Sequence, residues 1–245
     1  MIENFIKDCS PHGFDNDEPP HDEIKRHEWE SKILYSVKDS LSNEAVLLDY
    51  GCGKKGTMRF SLWGRFPSSN YIGIDPVFRN RRDMGKEYRK KENMSVIEDQ
   101  YRLDNLSYLS EAIEKASCVV AGSVFTHLGW ESIENVLDQL NPLFNRGGEF
   151  GFTIFLGDRY VEDFAGRGNR WYKKAKVDTY LAVVTTIEQY ENYCEDRDLQ
   201  FTLLPYDYKL LHNRLASPET VLRNHSIVTG KTIGFHHFCN IRKKT

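Results

Sequence analysis

Five short apolar runs recur between residues 45 and 156, and the first four are each followed by a stretch that reads as a helix. Ala45 to Asp49, Tyr71 to Ile74, Met94 to Glu98, Ser117 to Gly122 and Glu149 to Leu156 have the length and composition of strands. The first run has no polar interruption before its aspartate, which predicts burial on both faces, as in a parallel sheet. Between the runs, Thr57 to Trp63 can start a helix and Arg79 to Lys91 reads as a charged one. Leu106, Leu109, Ala112 and Ile113 mark a third helix. Trp130, Ile133, Val136, Leu137 and Leu140 mark a fourth, over 130–144, which stops at Asn145-Arg146-Gly147-Gly148. Strand and helix in regular alternation predict a doubly wound, mostly parallel α/β sheet with helices on both faces.

The flanks read differently. Residues 1–22 carry turn chemistry in Pro11-His12-Gly13 and Asp17-Glu18-Pro19-Pro20-His21. A helix from about Asp22 to Leu41 would put Ile33, Leu34, Val37 and Leu41 on one face. After 156 comes a long aromatic and basic loop, about Gly157 to Lys176, then a helix over Thr186 to Arg197. Leu199 to Leu204 and Ile233 to Ile241 read as two final strands, making seven, with a long connection at 205–231.

Composition narrows the class. The 245 residues are 40% hydrophobic and 28% charged, enough to bury a sizeable core in one domain over 1–245. A net charge of −3 and a pI near 6.3 argue against a general nucleic-acid binder. No apolar run nears the ~20 residues that span a bilayer, and Met1 to Cys9 lacks the apolar core of a secretory signal. Five scattered cysteines without a C-x-x-C pair read as reduced thiols in a cytoplasmic protein. A small-molecule substrate is the partner expected, and oligomeric state is left open.

The chemistry gathers at Val46-Leu47-Leu48-Asp49-Tyr50-Gly51-Cys52-Gly53-Lys54-Lys55-Gly56, a strand, a tight turn and the start of a helix. Gly51-x-Gly53-x-x-Gly56 matches the dinucleotide fingerprint. Asp75, 75 − 56 = 19 residues past Gly56, stands where a ribose-binding acid belongs. Lys54 and Lys55 would welcome a phosphate. Asp49 points elsewhere: a carboxylate two residues before the turn repels a pyrophosphate at short range and suits an amine or another positive centre. The residues alone leave three readings: an NAD(P)-dependent oxidoreductase, an enzyme whose cofactor carries a positive centre, and a non-catalytic ligand-binding protein on the same fold.

A wider set of motifs favours the second. Leu48-Asp49-Tyr50-Gly51-Cys52-Gly53, Tyr71-Ile72-Gly73-Ile74-Asp75 and Glu98-Asp99-Gln100 are followed by Ala121-Gly122-Ser123-Val124-Phe125-Thr126-His127-Leu128 and Arg146-Gly147-Gly148-Glu149-Phe150. In order and spacing this set resembles the class I S-adenosylmethionine-dependent methyltransferases. The resemblance implies a Rossmann-like, seven-stranded sheet with an N-terminal helical lid at 1–44, a cofactor-binding half at 45–156 and a substrate-side half at 157–245. It implies S-adenosyl-L-methionine as cofactor and S-adenosyl-L-homocysteine as product. Asp49, Gly51 and Gly53 would lie near the methionine moiety and ribose. Asp75 would accept from both ribose hydroxyls. Asp99 would take the adenine amino group, with Asp104 as second candidate, and Gln100 would add a backbone contact. Ala121 or Gly122 would offer a carbonyl to the ligand's amine. One departure is that many members carry glycine two residues after the position of Gly53, where this chain has Lys55 and then Gly56.

The same resemblance turns the residues after the fourth strand toward the reacting methyl: Ser123, Phe125, Thr126, His127 and Trp130. His127 is the expected base, since imidazole titrates near neutrality and a hydroxyl nucleophile must lose its proton. Past strand five, Arg159-Tyr160, Arg167 and Arg170-Trp171-Tyr172-Lys173-Lys174 combine arginine with aromatic rings. That suits an anionic or sugar-like acceptor through ion pairing and stacking. Phe125, Thr126, Trp130, Arg159, Arg170 and Trp171 are therefore the expected substrate contacts. Methyl transfer to a hydroxyl of a sugar or phosphate-bearing metabolite is expected over transfer to nitrogen. The charged helix at 79–91 reads as a solvated face balanced by Asp83, Glu87 and Glu92. Glu23 and His27, one helical turn apart, fit no strong metal motif, and no metal is assigned. His236 and His237 should point to opposite sides of a final strand, without assigned chemistry.

Overall fold

The computed structural model describes residues 32–42, 44–52, 71–74, 106–163, 182–204 and 236–245. Eight strands lie in one connected sheet: β1 (Leu47–Tyr50), β2 (Tyr71–Ile74), β3 (Cys118–Ala121), β4 (Glu149–Leu156), β5 (Val161–Asp163), β6 (Ala182–Thr185), β7 (Leu199–Leu203) and β8 (His237–Lys243). β1 pairs in parallel with β2 on one side and β3 on the other, and β3 pairs in parallel with β4. β8 runs antiparallel between β4 and β7. The order along the main sheet is β2-β1-β3-β4-β8-β7. The expected third strand, 94–98, and the helices expected at 57–63 and 79–91 lie outside the described residues.

The unbroken apolar runs do what they predict, because each side of the sheet is covered. Leu48, Val119, Ala121, Phe150, Phe152 and Ile154 face one core, shared with the helices Leu106–Lys115, Trp130–Gln139 and Ile187–Glu195. Leu47, Cys118, Val120 and Phe238 face the other, where Ile33, Leu34, Val37 and Leu41 pack. Thr186 caps the helix Ile187–Glu195 through a capping box with Gln189.

Three elements depart from the sequence reading. The helix expected over 130–144 divides into Trp130–Gln139 and Asn141–Asn145. Pro142 is the cause: it has no N–H for the carbonyl of Asp138, and its ring crowds the preceding turn. The segment before 42 ends not as α-helix but in a 3-10 turn, Lys38–Ser40. Within the loop expected at 157–176, residues 161–163 form a strand instead, since β5 pairs antiparallel with β6, and β6 pairs in parallel with the carboxyl end of β4. β5 and β6 thus join six of the seven expected strands to make the eight described. The lid expected for 1–44 lies mostly outside the described residues. Its described part, 32–42, packs on the sheet and meets the amino end of β4.

That meeting point is polar and buried. Glu149, first residue of β4, accepts from the Ser40 backbone N–H at 2.9 Å and from Asn240 Nδ2 at 3.4 Å, and Arg242 lies 4.0 Å away. Asn240 Nδ2 also donates to the Ser36 carbonyl at 2.6 Å. Burial raises the Glu149 carboxyl above its ordinary 4.5, and the nearby Asp39 charge adds to the rise. The Ser40 N–H and Arg242 oppose it.

Candidate functional site

Parallel pairing brings the carboxyl ends of β1, β2, β3 and β4 to one edge. The chain leaves β1 for β2 on one side and later returns for β3 on the other. The β1/β3 boundary is therefore the point at which strand order reverses, where open α/β sheets bind ligands. The sequence motifs at the ends of β1 and β3 meet at this point.

Gly51 follows β1 directly, with φ +75. Its N–H and that of Cys52 both donate to the Ile74 carbonyl, at 2.7 and 3.1 Å, which ties the turn to the end of β2. A Cβ on Gly51 would lie 2.3 Å from Val124 Cγ2. Glycine is needed there twice over, for the left-handed backbone and for close approach to the loop after β3. Asp49 is buried, and by strand alternation it shares the sheet face of Leu47. Gly122 follows β3 immediately, so its backbone lies at the same edge.

The loop after β3 is firmly held. Ser123 has φ +58, a conformation disfavoured for residues other than glycine, and its N–H donates to Thr153 Oγ1 at 2.7 Å. A 3-10 turn, Phe125–His127, follows. Phe125 is fully enclosed, with its ring 5.5 Å from Phe150 and 5.1 Å from Phe152. Thr126 is also fully enclosed, its Oγ1 3.4 Å from Ser123 Oγ. These two expected substrate contacts support the loop from beneath. His127 is half-buried at the end of the turn, and its N–H donates to the Val124 carbonyl at 2.9 Å. Trp130 begins the next helix, half-buried, edge-on to Tyr190 at 5.1 Å.

Tyr160 joins a second segment to this rim. Its hydroxyl accepts from the Trp130 N–H at 2.8 Å and donates to Glu162. Gly129 offers that helix no side-chain cap, so the tyrosine hydroxyl serves one of its unpaired N–H groups. Arg159 is thereby brought, exposed, to the same rim as Trp130. Gly53, Asp75, Asp99, Asp104, Gln100, Arg170 and Trp171 lie outside the described residues, as do Lys54 and Lys55.

One residue at this edge carried no assigned role in the sequence. His236 is buried, its Nε2 3.2 Å from Ser123 Oγ and its ring 4.9 Å from that of Phe155. It comes here because β8 is antiparallel to β4, so the start of β8 lies by the end of β4. The available signal was alternation: Asn240, Phe238 and His236 fall on one face, and all three are buried. His237, on the other side, is half-buried, where simple alternation would have left it outside.

Among the described residues no group of three His, Cys, Asp or Glu side chains is placed to hold a metal ion. Cys52, Cys118, Cys194 and Cys239 are buried free thiols. Burial pushes the Cys194 thiol up to about 12, and it raises those of Cys118 and Cys239 as well. No described helix is long and apolar enough to cross a membrane.

No protein-family model matches the chain. No curated protein matches it in sequence. Solved structures do match. An N1-methyltransferase of 1,6-didemethyltoxoflavin from Burkholderia thailandensis aligns at 12% identity and a TM-score of 0.50, over 100% of this chain and 87% of its own. The fold is that of the S-adenosylmethionine-dependent methyltransferases. A methyltransferase from Leishmania major aligns at 11% identity and a TM-score of 0.51, over 98% of this chain and 80% of its own. A cyclopropane synthase from Mycobacterium tuberculosis aligns at 14% identity and 0.50, over 98% and 93%. These alignments run over 98–100% of this chain. The Burkholderia enzyme was crystallised with S-adenosylhomocysteine and its acceptor.

Proposed function

We propose that the protein is an S-adenosylmethionine-dependent methyltransferase acting on a hydroxyl of a small polar acceptor, a sugar or another phosphate-bearing metabolite. The observation that carries the reading is the meeting at the strand-order reversal of buried Asp49, the left-handed Gly51 turn and the loop from Gly122 to Trp130. The donor set fits such a ligand. A buried carboxylate suits an amine, and the backbone ends of β1 and β3 lie side by side at this edge. Asp49, Gly51, Gly53 and Gly122 would hold the methionine and ribose portion, with Asp75 on the ribose hydroxyls and Asp99 and Gln100 at the adenine. Bound there, S-adenosylmethionine supplies an already activated methyl group and leaves as S-adenosylhomocysteine.

The work left to the protein is alignment, exclusion of water and removal of one proton. Phe125 and Thr126 fix the loop that faces the acceptor. His127 takes the hydroxyl proton on a ring nitrogen. Trp130 and Arg159, with Arg170 and Trp171, bind the acceptor by stacking and charge.

Transfer of labelled methyl from S-adenosylmethionine to a panel of sugar phosphates, phenols and amines tests the proposal. Label in hydroxyl-bearing members supports it. Label only in amines would overturn the oxygen assignment. Tight binding of the methyl donor with no label in any member would favour a non-catalytic binding protein.

A further inference from the structure

The polar cluster beside Ser123 has a feature that loop anchoring alone does not require. Thr153 Oγ1 already anchors the loop through the Ser123 N–H. The Ser123 hydroxyl is then shared between two buried groups, Thr126 Oγ1 at 3.4 Å and His236 Nε2 at 3.2 Å. Thr126 is fully enclosed and His236 nearly so, whereas Ser123 is only half-buried. Ser123 is thus the one of these three residues with appreciable exposed surface, and it follows Gly122 at the carboxyl end of β3. It also holds a left-handed backbone that glycine would adopt at less cost. Its neighbour Val124 is the residue against which Gly51 packs. The hydroxyl therefore lies one residue from the contact between the β1 turn and the β3 loop.

We propose that Ser123 and His236 form an acceptor-positioning pair, in which Ser123 receives a hydrogen bond from a hydroxyl of the acceptor beside the one that is methylated. The proposal rests on the methyl-transfer reading. A hydroxyl has one donor and two acceptor lone pairs. With its proton on Nδ1, His236 takes the Ser123 hydrogen on Nε2. That fixes the rotor and turns the serine's lone pairs toward a group that donates. The Phe155 ring and the β8 backbone hold the imidazole in place. Ser123 touches the acceptor, and His236 is a positioning residue that acts through it. The ligand class selected is one that presents O–H at this point, and its O-methyl ether is rejected because it leaves the serine oxygen without a donor.

The test uses the full chain with histidine labelled by nitrogen-15, saturated with S-adenosylhomocysteine. Phenol is the hydroxyl probe and anisole its methyl ether. The His236 signal, assigned by its loss in His236→Gln, is expected to show an Nε2 that accepts a hydrogen bond. It should shift when phenol is added and stay in place with anisole. Ser123→Ala should abolish the phenol response, and Ser123→Thr should keep it. Equal shifts with both probes, no shift with phenol, or a full response in Ser123→Ala would each overturn the proposal. Calorimetry with S-adenosylhomocysteine on the same samples separates the two levels. If it does not bind, the methyl-transfer reading fails; if it binds and His236 is silent, only the positioning pair fails.

Discussion

Among the described residues of the site, Gly51 is constrained twice, by its backbone and by its packing. Alanine there would hold a left-handed backbone, at about 1–2 kcal/mol. Its Cβ would also drive into Val124, and overpacking adds about 1–3 kcal/mol. Gly51→Ala should therefore lower stability in urea denaturation. Adding Val124→Ala should restore only the packing part, because the backbone penalty stays. A double variant as stable as the parent would show that the left-handed turn carries no strain. His127 makes the opposite kind of prediction. Its backbone N–H holds the turn whatever the side chain, so His127→Ala should keep the fold and the affinity for S-adenosylhomocysteine. Turnover should fall by about 10²–10⁴-fold, the usual worth of a positioned acid or base. Full activity would remove it as the base.

At the scale of elements, the segment 32–42 and the amino end of β4 should respond to pH through Glu149. Its folded-state value is raised chiefly by burial, so the folded protein favours the protonated form. The stability this contributes is fully present below the ordinary 4.5 and is lost as pH rises through the folded value. Glutamine mimics the protonated acid at every pH. The melting temperature of wild type minus that of Glu149→Gln should therefore decrease from pH 4 to pH 7. A constant difference, or one that grows with pH, would contradict the assignment. The same scale shows what could be read in the chain. β1, β2, β3 and β4 were legible because unbroken apolar runs bounded by turn residues have few alternatives. The break at Pro142 was legible in principle, since a proline inside helical spacing interrupts the hydrogen-bond ladder. β5 and β6 were not, because strands of three and four residues at 161–163 and 182–185 are defined by each other and not by local pattern. His236 was unreadable as a site residue for a related reason. Its place depends on antiparallel pairing of β8 with β4, 83 residues earlier by Ile154 and His237 (237 − 154).

For the whole molecule, the parallel part of the sheet, β2-β1-β3-β4, is of the kind the alternating pattern implies, and its ligand edge lies at β1/β3. Fold does not fix chemistry, and the two cofactor readings share this edge. Their difference reduces to Asp49 at the end of β1: a buried carboxylate that favours an amine-bearing ligand and opposes a pyrophosphate. Calorimetric titration of the full chain with S-adenosylhomocysteine and, separately, with NADH measures that preference directly. The account predicts saturable binding of S-adenosylhomocysteine with one site per chain, weakened in Asp49→Asn, and no binding of NADH. Binding of NADH with none of S-adenosylhomocysteine would contradict it.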